Sequence, residues 1–290
     1  MKRSHFGILF LSGLFAASCG GGSSSGGGGG AAAEAPSSLT IQLTDAPFEN
    51  WMVLEANVEF TALRLTDDPS GSGEYIDLMP NGHTSDLTKL TNGVTELMVN
   101  TSVPPGTYRE ARVQVANASV LLVNGRRYAT DDGTLTIGGL SPLGYQIPLD
   151  PPLVAQDGAP ITALLDFDLS KSFRPIPADD PLNADSVILL PSVRCVDMKH
   201  TGEIRGVVEE MNPQGQMVGV ENAFVYLLPP GEIDIEQRIA TTSTEADGSF
   251  VFLGVVPEPC DIAAYKGGED REFGLVVEVG HTTQVDLELE

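Results

Sequence analysis

The segment "LLDFDLSKS", residues 164–172, sets Asp166, Asp168 and Ser170 at alternate positions. In an extended strand successive side chains point to opposite faces, so these three share one face and Leu165, Phe167 and Leu169 share the other. Two carboxylates about 7 Å apart on one face repel unless a cation or hydrogen-bond donors sit between them. Asp45, in "LTDAP", would join them if its strand lay alongside. Oxygen ligands of this kind suit Ca²⁺, and paired carboxylates are one route to acid–base chemistry. The alternative is a polar outer sheet face, with Lys171 and Arg174 nearby and Asp45 bonded to turn amides. No EF-hand spacing accompanies the pair, so neither a resident metal nor a cofactor is expected.

Three further groups of residues could do chemistry. His200 and Glu203 in "HTGE", with His281 downstream, have a zinc-ligand order. Zinc catalysis needs three converging ligands and an open fourth position. Glu203 opens a strand pattern, and no general-base Glu or helical frame is visible, so His200 is expected at the surface. Trp51, Phe48 and Tyr75 could form a sugar-stacking platform, since aromatic faces pack on apolar CH surfaces; the alternative is that Trp51 plugs the edge of a core. Cys195 and Cys260 are an even pair once Cys19 is set aside, and in an oxidising compartment they could bond. Such a bond would contribute roughly 3–4 kcal/mol by loop closure; two separate buried thiols are the alternative.

Nucleophile and phosphate-binding signatures are absent. The chain contains no Gly-x-Ser-x-Gly, no Gly-x-x-x-x-Gly-Lys-Ser/Thr loop and no Cys-x-x-Cys. Its four histidines are scattered, and His5 lies in the N-terminal leader. No catalytic residue is assigned, and an enzyme is not expected.

The elements that must position these residues are β-strands. Of the 290 residues 41% are hydrophobic, enough for a real core. Lys and Arg number 16 against 40 Asp and Glu, a formal net charge of −24. A field of that sign repels nucleic acid, which excludes a nucleic-acid partner. "LTIQLT", "VEFTALRL", "REARVQV", "SVLLV", "TLTIGGL" and "ITALLDFDL" alternate apolar and polar residues. Gly- and Pro-rich turns such as "DDPSGSG" and "PPGT" separate them. Only "TSDLTKLTNG", around residues 84–93, suggests a short helix. Evenly spaced short strands predict an all-β chain of two β-sandwich domains in tandem. The composition shifts at residues 195–202, which sets the boundary near 199–201, with domains over 39–198 and 199–290. In the second, Asp247-Gly248 reads as a two-residue hairpin turn.

The N-terminus reads as an address. Lys2 and Arg3, an apolar run over residues 6–17 and small residues after it form a secretory signal over residues 1–18. Residues 15–19, "FAASC", resemble the lipobox of bacterial lipoproteins. The resemblance implies that Cys19 becomes the first mature residue and carries lipid, so that the chain is anchored to the membrane without spanning it. Gly20 after that cysteine, where Asp commonly retains such proteins in the inner membrane, implies the outer membrane. A Gly/Ser/Ala tether over residues 19–38 would hold the folded body about 20–25 Å from the headgroups.

Residues 39–198 resemble the bacterial lipoprotein domain catalogued as domain of unknown function 4382, through "LTIQLTDAP", "PPGTYREARVQV", "LLDFDLSKSF" and "VILLPSVRCV". Residues 201–290 resemble the carboxypeptidase regulatory-like domain, a transthyretin-type sandwich, through "GEIRGVV", "ENAFVYLLP", "ATTSTEADGSFVFLGVVP" and "GHTTQVDLEL". Neither resemblance brings a catalytic residue. With the absence of reactive motifs, the expectation is a membrane-anchored envelope lipoprotein that acts as a non-catalytic binding or structural module, with a carbohydrate or an envelope protein as its ligand. The rival expectation is an enzyme or a calcium-binding protein with a carboxylate site on the first domain.

Overall fold

A computed structural model describes residues 34–48, 53–68, 70, 73–139, 141–156, 158–178, 180–267 and 269–289. The chain is all-β, and the described residues form two large hydrophobic cores, each enclosed by facing sheets, and a smaller cluster around Tyr226, Leu228 and Ala263. Cys19 and Trp51 lie outside the described residues.

The first core is set by alternation. In the strand Ser37–Ala46, Leu39, Ile41 and Leu43 are buried while Thr40 and Gln42 are less so. This strand already includes Ser37 and Ser38, which the sequence placed in the tether. It runs parallel to Ile161–Asp168 and antiparallel to Glu96–Val103, and Val193–Asp197 completes the sheet. Against it packs a larger sheet centred on the long strands Val53–Thr66 and Gly106–Leu122. Phe60 and Phe167, one from each sheet, meet edge to face at 5.9 Å. A fully buried Phe or Leu of this kind contributes on the order of 2 kcal/mol. The short-helix expectation at residues 84–93 is corrected: His83–Asp86 is a strand, and a single 3₁₀ turn, Leu87–Lys89, follows and buries Leu87.

The second core lies between two sheets. One holds Gly202–Met211, Ser249–Val255, Met217–Gly219 and Thr282–Leu289; the other holds Phe224–Leu228, Ala240–Ser243, Cys260–Tyr265 and Glu269–Leu275. Val225, Leu227, Phe250, Ile262 and Leu287 fill it. Asp247-Gly248 does turn the chain, with Gly248 at φ +83 and its N–H donating to Glu245 O at 2.9 Å. It is not a hairpin, because Ala240–Ser243 and Ser249–Val255 pair into opposite sheets.

The middle of the strand Ile161–Asp168, residues 163–167, is buried on both faces. Ala163, Leu165 and Phe167 enter the first core, whereas Leu164 and Asp166 face the second half of the chain. Gly254 approaches there so closely that a Cβ would lie 2.9 Å from both Leu164 Cδ2 and Val196 Cγ2. Its φ of +62 is one that glycine adopts without strain. The face expected to be solvated is therefore a seam between the two cores.

Candidate functional site

The parallel pairing of Ser37–Ala46 with Ile161–Asp168 puts Asp45 beside Phe167 in register, flanked by Asp166 and Asp168. Asp166 takes a charge-assisted hydrogen bond from Arg194, Nε to Oδ2 at 2.7 Å. The remaining guanidinium nitrogens reach the second half and donate to the carbonyls of Gly254 at 2.9 Å and Leu253 at 3.3 Å. Asp45 Oδ1 accepts from the Leu169 N–H at 3.2 Å. Burial, reinforced by the neighbouring Asp166, pushes the Asp45 carboxyl well above the ordinary carboxylate range.

Ser170 is not on the strand. Asp168 ends the strand by capping a one-turn helix, Leu169–Ser172: its Oδ1 accepts from the Lys171 N–H at 3.0 Å and from Ser170 Oγ at 2.6 Å. Ser170 Oγ in turn accepts from Arg238 Nη2 at 2.8 Å, and Lys171 Nζ donates to Arg238 O at 2.7 Å. Asn92 fastens the other side of the seam, accepting from the Val251 N–H at 2.7 Å and donating to Glu245 at 3.1 Å. The structure thus brings Asp45, Asp166 and Asp168 together but turns Ser170 toward Arg238. Among the described residues, no group of three or more His, Cys, Asp or Glu side chains is placed to hold a metal ion.

The disulfide expectation is corrected. Cys195 is buried in the first core and Cys260 in the second, both as free thiols. Burial pushes Cys195 up to about 12 and Cys260 up to about 11, which keeps both protonated. The aromatics do not form a platform among the described residues. Phe48 packs on Phe173 at 5.5 Å, and Tyr75 lies against the Arg112 guanidinium, 5.6 Å from its ring centre. His200 bonds Asp197 at 3.1 Å and His281 bonds the Val279 carbonyl at 2.9 Å, so each serves a local turn.

An open groove of about 310 Å³ crosses the outer face of the larger sheet of the first core. Asn57 and Glu59 project into it from Val53–Thr66, Asn117 and Ser119 from Gly106–Leu122, and Arg127 and Asp131 close one side. Asn117 donates to Glu59 at 2.6 Å and accepts from Thr130 Oγ1 at 3.2 Å. Arg127 grips Asp131 through two bonds of 2.9 and 3.0 Å, which hold that carboxyl below the ordinary range. The groove offers amide, hydroxyl and carboxylate groups for hydrogen bonding. Sequence reasoning missed it; the signal was the polar half of the alternation in two strands whose outward face it did not follow.

The family described as Domain of unknown function (DUF4382) matches residues 36–191. No curated protein matches the chain in sequence. Among solved structures, a candidate carbohydrate-binding protein from Pseudomonas aeruginosa is 16% identical, covering 31% of this chain and 90% of its own, with a TM-score of 0.24. A minor pilin of Streptococcus agalactiae is 9% identical over 87% of this chain and 96% of its own, with a TM-score of 0.23. A shaft pilin of Lactobacillus rhamnosus GG is 10% identical over 88% of this chain and 100% of its own, with a TM-score of 0.22.

Proposed function

This chain belongs to the family described as Domain of unknown function (DUF4382), and we propose that it is a lipid-anchored, non-catalytic binding module of the bacterial envelope. One observation carries the reading. Asp166, which could have joined a reactive centre, is paired with the Arg194 that fastens the two β cores, and Asp45 is buried beside it, while polar side chains left open to solvent line a groove on the outer face of a sheet. A fixed array of amides, hydroxyls and carboxylates matches the hydroxyl groups of a carbohydrate and asks nothing of a nucleophile.

Cys19 is the proposed lipid site, the Gly/Ser/Ala tether carries the body off the outer membrane, and residues 199–290 serve as a carboxypeptidase regulatory-like accessory module. The lipobox-like "FAASC" and the glycine tract support this placement. Two measurements on the full chain test the reading. Radiolabelled palmitate should label the wild type and not Cys19→Ser. The detergent-solubilised protein should retain specific glycans on an array; turnover of an applied glycan would replace the binding reading with an enzymatic one.

A further inference from the structure

The groove on the larger sheet is built by strand register. Glu59 pairs with Thr84 on one neighbouring strand and with Asn117 on the other, and Asn57 pairs with Ser119. Cross-strand partners share a face, and alternation sends the buried Ala56, Val58 and Ala118 to the opposite one. These polar side chains therefore point out together. Arg127 joins them from the next strand, since it pairs with Leu121, two residues beyond Ser119. Among the described residues no aromatic ring lines the groove. A sugar lying in it is met by hydrogen bonds and charge, not by stacking on its apolar face.

We propose that the groove selects glycans that carry a free amine, with the ammonium seated at Glu59 and sugar hydroxyls on Asn57, Asn117 and Ser119. The inference rests on the glycan-binding reading and names its ligand class. Charge decides that class. Among the described residues, the charged side chains that line the groove are Glu59, Asp131 and Arg127. Arg127 is already answered, by two bonds to Asp131 at 2.9 and 3.0 Å and by Asp132 at 3.6 Å. Glu59 is met by a neutral group, the Asn117 amide at 2.6 Å. The nearby cations are turned elsewhere: Lys89 bonds Asp86 at 3.0 Å, and Arg126 lies over the Tyr128 ring, 5.1 Å from its centre. An ammonium would give Glu59 a charge-assisted hydrogen bond, roughly twice as strong as a neutral one. An N-acetyl group replaces that cation with a neutral amide. An acidic sugar sets a like charge against Glu59 and Asp131, and the net charge of −24 adds to the repulsion.

The test is calorimetric titration of the detergent-solubilised full chain with three tetramers of one glucosamine backbone: free-amine, N-acetylated and N-succinylated. A pH of about 6 keeps amines of this kind protonated. The free-amine tetramer should bind about tenfold or more tightly than the acetylated one, and the succinylated one most weakly. Added salt should narrow the gap. Glu59→Gln keeps the side-chain outline and an acceptor for Asn117. It should weaken free-amine binding about tenfold and leave acetylated binding within about twofold. Acetylated or succinylated tetramers that bind as tightly as the free-amine one would overturn this inference and leave glycan binding standing. Binding of none of the three would overturn both. Free-amine binding unchanged in Glu59→Gln would assign it to the overall negative charge and overturn the site. Spermidine binding as tightly as the free-amine tetramer would overturn the sugar assignment.

Discussion

Arg194 Nε stands 2.7 Å from Asp166 Oδ2, and the same guanidinium bonds two carbonyls beyond the seam. One cation thus answers a buried carboxylate of the first core and caps a strand end of the second. Arg is suited to this because its planar fork serves several acceptors without losing charge. Arg194→Met would leave Asp166 buried and unpaired, and breaking such a pair costs about 3 kcal/mol. Urea denaturation should show that loss for the single variant and a smaller loss for Asp166→Asn with Arg194→Met. Equal losses would mean that the two side chains are not coupled.

The Asp45 carboxyl is raised by burial first and by Asp166 second. A group whose folded pKa exceeds its unfolded value favours folding below the unfolded value, and that stability is lost as pH rises through the folded one. Stability should therefore fall as pH climbs from near 4 into the range where Asp45 ionises. Asp45→Asn should flatten that part of the profile, and denaturant midpoints across pH would show it.

Gly254 sits at φ +62 with the side chains of Leu164 and Val196 where its Cβ would be. Gly254→Ala should destabilise by about 2 kcal/mol through backbone strain and overpacking, and Gly254→Val by more. Limited proteolysis should then cut near the seam before either core unfolds. An unchanged digestion pattern would show that the seam tolerates the extra bulk.

Both described thiols are buried in separate cores and held protonated. A thiol reagent such as DTNB should not react with Cys195 or Cys260 in the folded chain and should count both in guanidinium. Reductant should leave the electrophoretic mobility of the unreduced protein unchanged.

The all-β class was legible because strands such as Ser37–Ala46 alternate cleanly, with Leu39, Ile41 and Leu43 inward. The seam was not legible. In Ile161–Asp168 the face carrying Leu164 and Asp166 has the pattern of a solvated surface, and it is covered from far along the chain, by Gly254 against Leu164 and by Arg194, which ties Asp166 to the carbonyls of Leu253 and Gly254. No local period encodes such a contact. Ser170 was misplaced for a nearer reason: Asp168 could continue a strand or cap a helix, and its bonds to Ser170 and Lys171 decided for the cap. Cys195 and Cys260 illustrate the limit of counting, since an even number fixes no distance. The groove was hidden in the unread half of the alternation, where Asn57, Glu59, Asn117 and Ser119 face outward.

The central claim is that this chain binds through the groove and does so without chemistry. The most direct measurement is a glycan array probed in parallel with the wild type and with Asn57→Ala combined with Asn117→Ala, both shown by circular dichroism to be folded. The account predicts that glycans retained by the wild type lose about tenfold or more in signal with the double variant, consistent with the loss of two hydrogen-bonding side chains at about 1 kcal/mol each. Binding left unchanged by the double variant would contradict it.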